Sequence, residues 1–296
     1  MATAKAMIVL MRLLGRSATN LPGEVALAMC PDFLGQLQKP QTIIGVTGTN
    51  GKTTVTNMIA DVLTDNGYVF AGNRAGGNVD TGITTALIRE STLSGKTRKK
   101  LAVLEIDERS ANRIYPHLQP TFLVCTNLFR DSAKRNAHPE FISHILNTYI
   151  PASTRLILNG DDLISGRLAP GNARVYFGID HLEGEVPITD NLIKDVVACP
   201  VCDHPLEYDF VRYNHIGRAH CPHCGFGSPA VDYAVTAVDR ENRLVRMCTP
   251  AGEEIYHLAG DNITDLYNMT AAIALLREFG LSLIHISEPT RLLSIS

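Results

Sequence analysis

The stretch that most constrains the fold is residues 42–67, where an apolar run is followed by glycines, a lysine and a helical pattern. The run TIIGVTG predicts a β-strand, and TTVTNMIADVLTDNG predicts a helix that ends at Gly67. The predicted apolar face of this helix consists of Val55, Met58, Ile59 and Val62. A Gly-rich loop that leaves a strand and opens a helix favours phosphate binding, because backbone N–H groups and the helix N-terminus can face one anion.

The loop GTNGKTT itself assigns a role to several residues. Gly48 and Gly51 allow the backbone to approach a ligand closely. Lys52 is expected to reach the β- and γ-phosphates of ATP, and the Thr53 hydroxyl to bind Mg²⁺. The strict phosphate-loop pattern fails at its first glycine, where Val46 stands. We expect backbone N–H groups throughout residues 48–52 to face phosphate, and the predicted nucleotide-binding residues in the loop are Gly48, Thr49, Asn50, Gly51, Lys52, Thr53 and Thr54.

Besides the strand at residues 42–48, apolar runs predict strands of the same kind at residues 101–107, 121–127 and 154–160. Near-continuous apolar strands are typical of a parallel sheet buried on both faces, and alternation with helices indicates a doubly wound α/β domain. The pattern returns at DYAVTAVD and EIYHLAG after residue 231. A final amphipathic helix is predicted before Gly280, with an apolar face made of Leu266, Met269, Ile273 and Leu276.

Residues 198–226 contain two Cys-x-x-Cys pairs, separated by 18 residues. Two thiolates from one tight turn can share one ion, and the spacing fits a hairpin, so the segment predicts a zinc ribbon. Four sulfur ligands close the coordination shell, which makes the Zn²⁺ structural. Cysteines without metal, or with a redox role, are the alternative. The predicted ligands are Cys199, Cys202, Cys221 and Cys224, and the nearby histidines expected to be solvated loop residues are His204, His215, His220 and His223.

The remaining bulk properties exclude some classes of function. The 296 residues carry a formal net charge of −3, whereas a nucleic-acid surface normally needs a basic excess. The apolar stretch at residues 7–14 is interrupted by Arg12 and is too short to span a membrane. No secretory signal is predicted, and we expect a cytoplasmic protein. Because Cys30, Cys125 and Cys248 are scattered, a disulfide framework is not expected either.

The motif TGTNGKTT resembles the signature of the Mur ligase superfamily, and further similar motifs follow in the family's order through residues 41–281. These enzymes use ATP to convert a carboxylate to an acyl phosphate, which an amine attacks. In VLEIDE, Glu105 matches the family's Mg²⁺-binding glutamate, so the resemblance implies that Thr53 and Glu105 hold Mg²⁺. Glu108 is a second candidate. The implied catalytic residues are therefore Lys52, Glu105 and Glu108.

Three weaker motifs extend this resemblance. TNLFRD, at residues 126–131, is similar to a family stretch that continues with His, but Ser132 stands at that position here. A second metal site of the usual construction is therefore in doubt. LNGDD resembles a segment near the nucleotide and implies roles for Asn159 and Asp161, and LYNMTAA implies that Asn268 faces the adenine.

The cysteine-rich insertion, the N-terminal segment and NRAGGNVDTGI together resemble one branch of the superfamily, the ligase subunits of lipid II isoglutaminyl synthase. The resemblance implies a P-loop doubly wound parallel sheet with an inserted four-cysteine zinc ribbon. It also implies a helical and loop segment at residues 1–40, a central ATP-binding domain at 41–281 and the ribbon at about 196–228. Residues 282–296 form a tail of doubtful origin, and we expect the family's C-terminal ligase domain to be missing.

The same resemblance implies a reaction. ATP would phosphorylate the α-carboxylate of D-glutamate in the stem peptide of lipid II, and ammonia would convert it to D-isoglutamine, a step of peptidoglycan biosynthesis. The ammonia would come from a GatD-like glutaminase subunit in a heterodimer, acting at the inner face of the membrane. ATP, Mg²⁺ and structural Zn²⁺ are the implied cofactors.

Two other interpretations of the sequence remain open. A Mur-type or folylpolyglutamate-type ligase would add a whole amino acid instead of ammonia. A protein without enzymatic activity could keep the ATP site and act as a zinc-ribbon binding module. Labelled amino acids and labelled ammonium, each supplied with a stem-peptide substrate, test the first of these interpretations. An ATP turnover rate that does not change when the carboxylate substrate is added would favour the second.

Overall fold

The strand, loop and helix predicted at residues 42–67 are present in the computed structural model, which describes residues 1–74, 77–130, 139–187 and 196–281. The strands are β1 Thr42–Thr47, β2 Phe70–Gly72, β3 Leu101–Glu105, β4 Phe122–Cys125, β5 Arg155–Asn159, β6 Arg174–Ile179, β7 Glu207–Tyr213, β8 Ile216–His220, β9 Tyr233–Asp239, β10 Leu244–Thr249 and β11 Gly252–His257. The α-helices are α1 Ala2–Leu13, α2 Leu21–Met29, α3 Phe33–Gln36, α4 Lys52–Asp65, α5 Asp80–Arg89, α6 Ala111–Ile114, α7 Pro139–Tyr149 and α8 Ile263–Glu278.

The chain divides into two compact units, and the first comprises Met1–Thr47, Lys52–Val124 and His144–Arg155. Its strands follow the order β4-β1-β3-β2, in which β1 and β2 both run parallel to β3. Helix α4 packs on β1 and β3 through its four predicted apolar residues, all of which are buried. The predicted parallel strands and the predicted helix face are therefore confirmed. The register pairs Val46 with Glu105, which brings the end of β3 beside the end of β1.

The second unit comprises Gly48–Gly51, Cys125–Ser143 and the described residues from Leu156 onward. Its larger set of strands follows the order β5-β6-β9-β10-β11. Strands β5, β6 and β9 are mutually parallel, whereas β9, β10 and β11 are antiparallel. The sheet is thus mostly parallel with an antiparallel edge, because the last strands are joined by short turns that leave no room for a crossover helix.

Helix α8 differs from the amphipathic helix that the sequence predicts. The four residues of the predicted apolar face are buried, but so is every other residue from position 266 to position 276. The other buried positions are Tyr267, Asn268, Thr270, Leu275 and three alanines, and a helix that is buried on all sides belongs inside a domain. The predicted end is confirmed, since Gly280 follows the helix with a φ of +92°.

Strands β7 and β8 form the antiparallel hairpin predicted between the two cysteine pairs. A two-residue turn, Asn214 and His215, joins them, and Asn214 has the left-handed φ of +48° that such turns require. The cysteine pairs lie at the opposite end of the hairpin from this turn. An isolated β-bridge joins the residues on either side of each cysteine pair, Ala198 with Pro205 for the first pair and His220 with Gly227 for the second.

Some predictions concern residues outside the described ranges. They are Ser132, which follows the TNLFRD motif, and the tail at residues 282–296. The domain boundaries drawn from the sequence also stay predictions. Within the part of the chain that the structure describes, no helix is long and apolar enough to cross a membrane.

The second unit offers a matched test of this core. Ile179 on β6 is completely buried, whereas Ile255 on β11 is 60% exposed. We expect Ile179→Ala to lower the free energy of unfolding by about 2–5 kcal/mol, since it removes buried methyl groups and leaves a cavity. Ile255→Ala should cost less than about 1 kcal/mol, in the range of strand propensity. Urea unfolding measures both, and equal losses would contradict the assigned burial.

Candidate active site

A carboxylate at the end of β3 and a hydroxyl in the first turn of α4 lie in direct contact. The Thr53 Oγ1 donates a hydrogen bond to Glu105 Oε2 at 2.8 Å. The other carboxylate oxygen of Glu105 accepts from Asn78 Nδ2 at 2.9 Å. Oxygen donors of this kind are what Mg²⁺ prefers, and it usually takes only one or two ligands from the protein beside water and phosphate. The two predicted Mg²⁺ ligands are therefore close enough to serve one ion.

Lys52 forms an ion pair with Glu108, the second predicted acid. The Lys52 Nζ lies 3.1 Å from Glu108 Oε2, and both side chains are nearly buried, at 13% and 10% exposure. Burial raises the pKa of Glu108, and the nearby Lys52 charge only partly opposes that rise. A buried carboxylate without a cationic partner tends to take up a proton. If Lys52 moved to another anion, Glu108 could therefore become neutral and would not remain as an unpaired buried charge.

Asn73 and Asn78 are functional candidates that the sequence reasoning missed. Asn73 Nδ2 donates to the Glu105 carbonyl at 2.8 Å, while Asn73 Oδ1 accepts from the Glu105 N–H at 2.9 Å. This pair of bonds fixes the backbone at Glu105, and Asn78 orients its carboxylate. The available signal was the spacing of the two asparagines around the glycines of NRAGGN, a motif whose residues carry no individual role in the sequence-based prediction.

The loop after β1 is held by residues that follow β4. Asn127 accepts the Asn50 N–H on its side-chain oxygen at 3.0 Å, and its carbonyl accepts the Thr49 N–H at 2.8 Å. Thr126 Oγ1 donates to the Asn50 carbonyl at 2.6 Å. In this structure the Thr49 and Asn50 N–H groups, which were predicted to face phosphate, donate to Asn127 instead. Those two amides fix the shape of the loop, and the phosphate-binding roles of the loop residues stay predictions.

Two glycines are required in this loop by space as well as by conformation. Gly48 has a φ of +128° and Gly51 a φ of +83°, which side-chain-bearing residues rarely adopt. A Cβ on Gly48 would overlap Thr126 Oγ1, and one on Gly51 would overlap the side-chain oxygen of Asn268. Asn268 therefore lies directly against the loop, where a contact with a bound nucleotide is geometrically feasible.

The LNGDD residues lie deeper than their predicted role suggests. Asn159 and Asp161 are both completely buried. Asn159 Nδ2 donates to the Thr126 carbonyl at 3.1 Å, and its Oδ1 accepts from Asp161 N at 3.0 Å. In this state Asn159 supports the residues that hold the loop and does not itself face a ligand. Asp161 is bonded to Arg212 at 3.0 Å, from the cysteine hairpin, and to Tyr267 at 2.7 Å.

One of the four histidines contradicts its expected place in a solvated loop. His215 is 2% exposed, and its Nε2 lies 2.8 Å from Asp162 Oδ1. The turn of the hairpin points this ring inward because the completely buried Asp162 needs a partner. His204, His220 and His223 are exposed, in line with the expectation.

The four cysteines of the paired motifs converge at one point. Their sulfur atoms all lie within 4.8 Å of one another, with Cys199 and Cys224 at 3.5 Å and Cys202 and Cys221 at 3.5 Å. Disulfides are excluded at that distance, since an S–S bond measures about 2.05 Å. Tetrahedral zinc with bonds of about 2.3 Å places sulfurs roughly 3.8 Å apart, so the donor set fits this metal. In a second grouping, the ligand atoms of Cys202, His204 and His223 also lie within 4.8 Å of one another.

Comparison with known proteins shows which proteins this chain resembles. The model of the Mur ligase middle domain matches residues 46–169. The MurT subunit of lipid II isoglutaminyl synthase (glutamine-hydrolyzing) from Staphylococcus aureus (strain COL) is 34% identical over 276 residues, or 92% of this chain. The MurT subunit from Streptococcus pneumoniae (strain ATCC BAA-255 / R6) is 35% identical over 90% of the chain. Residues 46–169 of this chain are therefore a Mur ligase middle domain.

Two further comparisons set the extent of this relationship. A pseudomurein peptide ligase type C from Methanothermus fervidus shares the fold with a TM-score of 0.66 at 24% identity, over 86% of this chain and 49% of its own. The UDP-N-acetylmuramoylalanine–D-glutamate ligase of Prochlorococcus marinus is 34% identical over 121 residues, 40% of this chain and 24% of its own. This chain spans about three fifths of the MurT subunits that it matches, 60% and 59% of their lengths.

The close approach of Asn268 to Gly51 can be tested by stability. Gly184 has a φ of +85° with open space around it, so Gly184→Ala measures the conformational cost alone, about 1–2 kcal/mol. We expect Gly51→Ala to lower the free energy of unfolding by more than Gly184→Ala, because its Cβ also meets Asn268. Adding Asn268→Ala should remove part of that excess. Equal losses for the two glycines in urea unfolding would contradict the assigned contact.

Proposed function

We propose that this chain is the central part of an enzyme that amidates the D-glutamate α-carboxylate in the stem peptide of lipid II, forming D-isoglutamine. ATP supplies the phosphoryl group for an acyl phosphate intermediate, and ammonia from a glutaminase subunit displaces the phosphate. The single observation that carries this proposal is the match to two MurT subunits over about nine tenths of the chain. A match of that extent includes the cysteine hairpin as well as the phosphate loop.

The contacts at the end of β3 support the nucleotide half of the reaction. Lys52, now on Glu108, would move to the β- and γ-phosphates, where its charge opposes the negative charge that develops during phosphoryl transfer. Thr53 and Glu105 would hold Mg²⁺, with Asn78 fixing the carboxylate. Bound there, Mg²⁺ would supply neutralisation of phosphate charge. A MurF ligase from Thermotoga maritima with the same fold, at a TM-score of 0.55, was crystallised in complex with ADP.

The source of ammonia is assigned to a second protein. The relatives are described as one subunit of a glutamine-hydrolyzing synthase, which calls for a partner that cleaves glutamine. In this chain, four of the seven cysteines face one another and Cys125 is completely buried, while Cys30 and the exposed Cys248 lie in no nucleophile motif of the sequence. A glutamine-cleaving cysteine must instead be an accessible, activated thiolate. A GatD-like glutaminase in a heterodimer fulfils this need.

A structural Zn²⁺ belongs to the same proposal. The four converging sulfurs would close its coordination shell, leaving no position for a substrate or water. Such a site would act by holding the two ends of the hairpin together, since an insertion of this size has little core of its own. Because lipid II is a membrane-linked substrate, we place the reaction in the cytoplasm at the inner face of the membrane.

A ligase that adds a whole amino acid is the second candidate. The similarity to a D-glutamate ligase favours it, but that similarity covers only 40% of the chain. Both candidates use the same activated carboxylate and differ in the attacking amine. The chemical identity of the product, a primary amide or a peptide-linked amino acid, therefore distinguishes them.

Lys52→Ala should abolish nucleotide-dependent activity while leaving the chain folded. Removing a positioned charge that acts on the transferring phosphoryl group should lower ATP turnover by at least about 100-fold. The fold should survive because Glu108, whose pKa is already raised by burial, can take up a proton when its partner is gone. The double variant Lys52→Ala/Glu108→Gln removes both charges of the ion pair and is the control for stability. Its free energy of unfolding should equal that of the wild type. Unchanged turnover in Lys52→Ala would reject the phosphate-loop assignment.

Metal analysis tests the zinc assignment. We expect one zinc per chain in purified protein, lost in Cys221→Ser because that sulfur belongs to the closed four-sulfur set. His223→Ala is the control for the alternative grouping of Cys202, His204 and His223, and it should retain the metal. The opposite pattern, with zinc kept in Cys221→Ser and lost in His223→Ala, would identify the histidine set instead.

Amidation itself should require two proteins. We expect the chain, completed by the further sequence that its relatives carry, to use ammonium poorly and glutamine not at all. Adding the glutaminase partner should allow glutamine-dependent conversion of lipid II, with one ATP consumed per amide. Mass spectrometry of the stem peptide reads out the carboxamide. Glutamine use by the ligase alone would reject the two-subunit proposal, and addition of an entire amino acid would favour the second candidate.

A further inference from the structure

The tip of the cysteine hairpin carries buried polar groups that the zinc site does not use. The turn between β7 and β8 lies at the far end of the hairpin from the four cysteines. His215 in this turn is 2% exposed, and the Arg212 side chain just before it is 3% exposed. Burying charged or polar side chains costs free energy unless each one is hydrogen-bonded. The partners of these two side chains therefore indicate the role of the hairpin tip.

The first partner is Asp162, which receives His215 on one side and the backbone of another segment on the other. His215 Nε2 lies 2.8 Å from Asp162 Oδ1, while Asp162 Oδ2 accepts the Leu128 N–H at 2.6 Å. Burial alone would raise the pKa of Asp162, but His215 and these hydrogen bonds outweigh it and lower the pKa instead. Asp162 is therefore a charged link between the hairpin turn and Leu128.

Leu128 lies between two of the residues that hold the phosphate loop, Asn127 and Phe129. Asn127, on one side, accepts the N–H groups of Thr49 and Asn50. Phe129, on the other side, exchanges hydrogen bonds with the Thr49 hydroxyl through both its N–H and its carbonyl, each at 3.2 Å. The path from His215 to the loop thus passes through Asp162 and one short segment of backbone.

A second path starts at Arg212. Its Nη1 donates to Asp161 Oδ2 at 3.0 Å and to Tyr267 OH at 2.7 Å, and Tyr267 OH donates to Asp161 at 2.7 Å. Tyr267 precedes Asn268, the residue whose side chain lies against Gly51. The backbone of the hairpin joins the same cluster, since the Gly217 N–H donates to the Asp161 carbonyl at 2.8 Å.

We propose that the hairpin tip is a positioning element for the nucleotide loop, acting through His215 on residues 126–129 and through Arg212 on Tyr267 and Asn268. The inference rests on the proposed nucleotide and zinc sites. It gives the zinc a role in ATP binding without contact between them: the metal fixes one end of the hairpin, and the other end fixes the segments that shape residues 48–51. In a buried network of this kind, each charge would be left uncompensated if its partner moved. A displacement of the hairpin tip would therefore also displace the segments bonded to it.

Binding of Mg²⁺-ADP by calorimetry tests this through a matched pair of histidines. His215→Leu removes the inner link, whereas His220→Leu changes an exposed histidine of the same hairpin, 48% exposed. We expect His215→Leu to weaken ADP binding by roughly 3- to 30-fold with zinc retained, the usual range of coupling through a network. His220→Leu should bind as wild type does. His215→Gln should recover much of the affinity, because its amide nitrogen can replace Nε2. Wild-type affinity in a folded His215→Leu protein would overturn the proposal.

Hydrogen exchange on the unmodified chain gives a second test that does not depend on a variant folding or on nucleotide. After zinc is removed by a chelator, exchange should rise in the peptides covering residues 126–129 and 48–51 as well as in the hairpin. A rise confined to residues 196–228 would overturn the proposed coupling. Failure of wild-type protein to bind ADP would reject the nucleotide assignment instead, and the exchange result would still decide whether hairpin and loop are linked.

Discussion

The path of the backbone between β1 and α4 is the constraint on which the rest of the site depends. This loop adopts conformations that favour glycine at positions 48 and 51, and it leaves no room for a Cβ at either position. Part of the shape of this loop comes from residues that follow β4. Thr126 and Asn127 supply it by bonding the backbone of Asn50. The loop is thus as well defined as the segment that holds it.

That segment is itself supported by charges that are completely out of solvent. Asp161 and Asp162 are both 0% exposed, and the cysteine hairpin provides the basic partners of each. Burial raises the pKa of Asp161 despite Arg218 and Arg212, while His215 helps to lower the pKa of Asp162. Buried ion pairs contribute little net stability but are strongly destabilising when one partner is removed. The cysteine hairpin that supplies those partners is therefore an integral part of the second unit.

The sequence predicted what local pattern determines and missed what tertiary partners determine. Strand β1, the loop and the buried face of α4 follow from apolar periodicity and glycine placement, and all were predicted. Strands β2, β6 and β10 were not, because they are short or alternate like exposed segments. The inward turn of His215 and the clamp by Asn73 on Glu105 depend on residues distant in the chain, so no local pattern marks them. Likewise, only the packed structure places Asn159 and Asp161 behind the loop.

The central claim is that ATP activates a carboxylate as an acyl phosphate, and the fate of one oxygen tests it most directly. Stem-peptide substrate labelled with ¹⁸O in the D-glutamate α-carboxylate would be converted by the complete ligase, its glutaminase partner, ATP and glutamine. Because the carboxylate oxygen that attacks phosphorus leaves with it, the account predicts one labelled oxygen in the inorganic phosphate released for each amide formed. Amide formation with unlabelled phosphate would contradict the account.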